Sequence, residues 1–155
     1  QNSLHKSRFK KKEIQDILSY IDFFTKIKES DYIIYDKEHN FEYTEEFMEF
    51  IGKLKRFNLV ENYDNMIDSI SYEGAGEAEK CEAFSGWMKE FNRTLSRPCE
   101  MRKTDITFIR RAFLTVIRME DIFPGSWGID VETGTWLKLL RRLKELYEAG
   151  EIELD

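Results

Sequence analysis

Histidine is nearly missing from this chain, with His5 and His39 alone among 155 residues. Neither lies on a predicted helix with an acid or a cysteine beside it, His5 being in the basic arm and His39 in the predicted hairpin turn, so histidine-based catalysis has no foundation in the sequence. Cysteine is as scarce. Cys81 and Cys99 are separated by a predicted helix and a turn, without a second pair or a neighbouring His, and read as free thiols rather than a zinc set or a disulfide framework. No stretch reaches the roughly 18 uninterrupted apolar residues of a membrane span, and no apolar segment follows the basic N-terminus. The expectation is a soluble, cytoplasmic protein with no membrane partner.

The usual chemical motifs are missing too. Gly74, Ala75 and Gly76 lack the Lys and Ser or Thr that complete a phosphate-binding loop, and Gly125 and Gly128 do not follow a strand as a dinucleotide fingerprint requires. Ser126 has no Gly-x-Ser-x-Gly context and no histidine near it. Glu45, Glu46 and Glu49, and again Asp64 and Asp68, place carboxylates a helical turn apart. The Glu-x-x-His elements of a di-metal bundle do not accompany them, so solvated helix faces are the simpler account. No catalytic residue, metal site or cofactor is predicted.

What is present is apolar and aromatic. Hydrophobic residues make up 41% and aromatics 14% of the chain, including 12 Phe, 7 Tyr and 3 Trp, enough for one packed domain. The net charge of -6 is unevenly spread. Residues 1–12 form a basic arm with five bases and no acid, residues 13–101 carry 20 acids against 10 bases, and residues 102–118 turn basic again.

Spacing predicts a mainly α-helical fold of about six helices in one compact domain over residues 13–155, with a short β-hairpin near residues 31–43. Ile14, Ile17, Leu18, Ile21, Phe24 and Ile27 make one stripe over 13–28. Tyr32 to Tyr35 and Phe41 to Tyr43 alternate as strands around a polar turn. Thr44 caps a helix over 45–56 buried through Phe47, Phe50, Ile51 and Leu54. A short helix spans 64–72. Cys81, Phe84, Met88, Phe91 and Leu95 mark another, ended by Pro98. Thr104 with Asp105 starts a helix carrying Ile106, Ile109, Phe113, Val116 and Ile117. Trp136, Leu139, Leu140, Leu143 and Tyr147 line the last, capped by Gly150.

Two features are candidates for binding. Arg110, Arg111 and Arg118 on one helix and Lys138, Arg141 and Arg142 on the next would converge if those helices packed antiparallel, giving a strip for an anion. The competing account pairs these bases with the acidic middle of the chain. Trp127, in the Pro and Gly loop from Ile122 to Gly128, is either a core plug or a recognition residue. The candidate binding residues are therefore Arg111, Arg118, Trp127 and Arg142.

The run from Phe113 to Leu143, FLTVIRMEDIFPGSWGIDVETGTWLKLLRRL, resembles the C-terminal signature of a bacterial family classified only as a domain of unknown function, domain of unknown function 6508. Ile117 and Arg118 match its Ile-Arg pair, Gly125 and Gly134 its two glycines, and Leu140 to Leu143 its aliphatic ending. Tyr43 to Val60 is similar to that family's central helix, so the resemblance covers about two thirds of the chain. Asp121 and Ile122 depart from the family's Arg and Phe, and Pro124 and Gly128 interrupt the segment between the glycines. The resemblance implies a compact, mainly helical domain and says nothing of substrate, cofactor or partner.

Two functional readings follow. The first is a non-catalytic module that binds another protein through a helical groove or the Trp127 loop. The second is a nucleic-acid or nucleotide binder using the basic arm and the arginine strip. An enzyme with an unfamiliar carboxylate and arginine site is a third and weaker reading.

Overall fold

A computed structural model describes residues 9–35 and 41–155. The remainder of the basic arm, with His5, and the hairpin turn, with His39, lie outside the described residues. The chain is mainly helical with a two-stranded hairpin, as the spacing predicts.

The first predicted helix is two pieces, α1 (Lys11–Leu18) and α2 (Tyr20–Thr25). They meet at Ser19, whose hydroxyl donates back to the Asp16 carbonyl and competes with the helical ladder. A single turn, α3 (Glu29–Tyr32), feeds β1 (Ile33–Tyr35), which pairs antiparallel with β2 (Phe41–Tyr43). Ile33 lies opposite Tyr43 in that pair. Helix α4 (Glu45–Arg56) is capped by Thr44, whose Oγ1 accepts the Phe47 N–H at 3.3 Å. Asn58 ends it in the left-handed region at φ 65°, letting the Leu59 N–H reach back to the Leu54 carbonyl.

Next come α5 (Tyr63–Ile70), α6 (Glu77–Ser96) and the short α7 (Pro98–Met101). The buried face of α6 is rotated from the predicted stripe. Trp87, Phe91 and Thr94 are buried, Phe84, Met88 and Leu95 are half-buried, and Cys81 faces solvent. The indole of Trp87 fixes that rotation by donating to the buried Thr115 hydroxyl at 2.8 Å.

Helix α8 (Ile106–Ile122) is the axle of the fold. Residues Ala112 to Ile117 are all buried, a helix enclosed on every side at its centre. The Pro and Gly loop read over Ile122 to Gly128 is overturned at its end, where Ser126 begins a short helix, α9 (Ser126–Glu132), and α10 (Thr135–Glu148) follows it. Helix α10 packs against α1, α2, α8 and α9. Its Trp136 is fully buried, stacked on Phe24 at 6.1 Å and meeting Phe47 and Phe50 edge-on at 5.7 and 5.6 Å. The two ends of the described chain meet, with Phe9 bridged to Leu154 and the Asp155 N–H bonded to the Phe9 carbonyl at 2.9 Å. Among the described residues no helix is long and apolar enough to cross a membrane.

Candidate functional site

The corner between α8 and α9 is built around Glu120. One carboxylate oxygen accepts the Tyr43 hydroxyl at 2.8 Å and the Trp127 N–H at 3.0 Å, and the other accepts the Gly125 N–H at 2.9 Å. Glu120 therefore ties β2 to the start of α9. The turn is set by its sequence: Gly125 adopts φ 98°, which side chains with a Cβ resist, and the Ser126 N–H bonds the Phe123 carbonyl at 3.0 Å. Trp127 is then directed inward. Its ring lies 5.2 Å from Tyr43 and 5.9 Å from Phe47, its Nε1 donates to the Val116 carbonyl at 3.0 Å, and its own carbonyl accepts the Trp136 Nε1–H at 3.0 Å. Gly128 is where the hairpin lies on α9. A Cβ there would come within 3.3 Å of the Tyr32 ring and 3.4 Å of Ile33.

Two groups at this corner have displaced acidities. Burial, reinforced by the hydrogen bond and charge of Glu120, pushes the Tyr43 phenol well above its ordinary value. Burial first, and the charge of Glu120 second, push Asp130 from 3.8 up to about 6. The raised value means that the folded state holds this proton more tightly than the unfolded chain, so ionised Asp130 opposes folding above pH 6 and the penalty fades as the pH falls towards 4. Asp130→Asn is expected to stabilise the protein by about 1–2 kcal/mol above about pH 7, allowing for solvent screening, and by nearly nothing below about pH 4. Urea denaturation at both pH values measures it, and equal effects at the two would contradict the assignment.

Outside this framework the corner is apolar. Ile122, Phe123 and Ile129, with Ile34 and Tyr35 on the adjoining β1, are each between 52% and 60% exposed. They are five of the eight large apolar side chains exposed among the described residues. Asp121, next to Ile122, and Glu132, one turn on from Ile129 in α9, are exposed acids that border these residues.

The predicted binding residues fall in separate places. Arg111 grips Glu61 with both arms of its guanidinium, at 2.8 and 3.1 Å, and also donates to the Ser69 hydroxyl. Beside it Arg110 donates to the Asn58 carbonyl at 2.8 Å, so the two arginines strap the loop before α5 onto α8. Arg118 faces the same side and lies 3.6 Å over the Tyr63 ring, with no carboxylate partner among the described residues. Arg142 is elsewhere, donating to the Thr104 carbonyl at 2.6 Å and to Glu145 at 2.8 Å. The fourteen residues from Thr104 to Arg118 correspond to about 20 Å along a helix. Arg111 and Arg118 are thus brought together, while Arg142 lies apart from them and Trp127 is buried.

Glu120, Tyr43 and Asp130 were not among the residues singled out from the sequence. One signal was there: acids in the last turn of a helix oppose its dipole, so Glu120 at the end of α8 calls for donors from another element. No protein-family model, curated protein or solved structure matches this chain.

Proposed function

We propose that this chain is a non-catalytic protein-interaction module whose docking face is the α8–α9 corner. The observation that supports this reading is the exposure of Ile122, Phe123 and Ile129 around the turn into α9, on a frame held by Glu120 and Trp127. Preorganised apolar anchors lose little freedom on binding, so more of their burial is realised as affinity.

The acidic rim selects the partner. Asp121 and Glu132 repel nucleic acid and anionic lipid alike, so the complement is a protein segment with two or three apolar anchors flanked by Lys or Arg. The alternative reading, an anion strip through Arg111, Arg118 and Arg142, draws no support from the geometry, because Glu61 already occupies Arg111 and Arg142 points elsewhere.

Selection of random displayed peptides on the purified protein tests the proposal. Enriched sequences are expected to combine apolar anchors with flanking bases, and Phe123→Asp is expected to weaken them about tenfold or more, as loss of an apolar anchor at the centre of an interface does. Tyr72→Asp, at an exposed apolar position far along the chain, should leave them bound. Binders that lack the basic pattern, or that ignore Phe123→Asp, would refute the assignment.

A further inference from the structure

A concavity of about 270 Å³ lies where the C-terminal end of α6, helix α7 and helix α10 meet. Its floor is apolar, from Leu95, Pro98 and Met101, and its walls are basic, from Arg102, Lys138 and Arg141. Ser96 also lines it, as do Arg142 and Glu145, which are paired with each other at 2.8 Å. Four bases against one acid leave three positive charges at one small hollow, in a chain whose net charge is -6. Like charges gathered this way repel one another unless something neutralises them.

The donors at the wall are largely unspent. Lys138 Nζ is anchored on the Leu95 carbonyl at 3.0 Å, which fixes it beside the end of α6 and leaves two of its three N–H groups. Arg102 gives one N–H to the Cys99 sulfur at 3.3 Å and has no carboxylate partner among the described residues. Arg141 is exposed and has none there either. Two guanidinium forks and an ammonium match the oxygens of a phosphate group, and the volume sits just under the roughly 300 Å³ at which small-molecule pockets begin.

We propose that this cleft binds a small phosphate monoester with an apolar or aromatic organic group, the phosphate held by Arg102, Lys138 and Arg141 and the organic group resting on Leu95, Pro98 and Met101. The site is separate from the protein-docking corner and does not depend on it.

Titration calorimetry at low ionic strength with phenyl phosphate, inorganic phosphate, phenol and a single-stranded oligonucleotide tests it. Phenyl phosphate is expected to bind at least about tenfold more tightly than inorganic phosphate, with phenol silent, because both halves of the site are then used. Arg102→Ala and Arg141→Ala should each weaken it about tenfold, as the loss of a charge-assisted contact does, while Lys89→Ala on the exposed side of α6 leaves it unchanged. Absence of phenyl phosphate binding, indifference to Arg141→Ala, or tighter binding of the oligonucleotide than of phenyl phosphate would each overturn the proposal.

Discussion

Trp136→Ala is expected to destabilise the protein by about 3–5 kcal/mol and to lower its melting temperature by about 10 °C, the largest effect of any single truncation considered. The side chain is fully buried and touches rings from three other elements, Phe24 on α2, Phe47 and Phe50 on α4, and Phe113 on α8. Removing it opens a cavity that aromatic neighbours cannot close without leaving their rotamers. Its Nε1 also donates to the Trp127 carbonyl, so the loss reaches the α8–α9 corner. Trp136→Phe separates the two contributions. It keeps a ring in place and gives up the hydrogen bond and some volume, for an expected cost of about 1–2 kcal/mol. Thermal and urea denaturation monitored by circular dichroism measure both. Equal losses for Ala and Phe would show that the cavity is not the dominant cost.

Glu120→Ala is expected to cost about 3 kcal/mol, because three donors are stranded at once in a half-buried setting. The Tyr43 hydroxyl and the Gly125 and Trp127 N–H groups have this carboxylate as their common acceptor. Glu120→Gln keeps an acceptor oxygen but turns an amide group towards a donor, and should fall between wild type and Ala. A second readout separates local from global damage. Without the charge of Glu120, Asp130 should titrate part of the way back towards its ordinary value, and burial should retain the rest of the displacement. Carboxyl chemical shifts followed against pH report that directly. A stability loss below about 1 kcal/mol, with Asp130 unmoved, would mean that Glu120 is not the tie between the hairpin and α9.

Helical periodicity made most of the scaffold legible. The stripes of α4 and α10 are buried as their spacing implies, down to Leu54 and Leu143, and the caps at Thr44 and Asp105 stand where their side chains called for them. The rotation of α6 was not legible, because its face is chosen by a single hydrogen bond between Trp87 and a threonine 28 residues away. Helix α9 was hidden for a related reason. Pro124 and Gly125 are strong breakers, yet here they place the first turn where Glu120 accepts its N–H groups. At the candidate sites, sequence marked the arginines as a charge cluster but not their partners. Glu61 is 50 residues from Arg111, and no local rule connects them. The exposed corner was visible only as a loop of unusual composition, since exposure depends on what the rest of the chain leaves uncovered.

The closure of Phe9 against Leu154 makes the termini a shared seam. Phe9 and Ile152 are both buried at this seam, where the described chain's first and last segments meet. Trimming the tail after Gly150 would strip cover from the start of α1 as well, so fraying at one end is felt at the other.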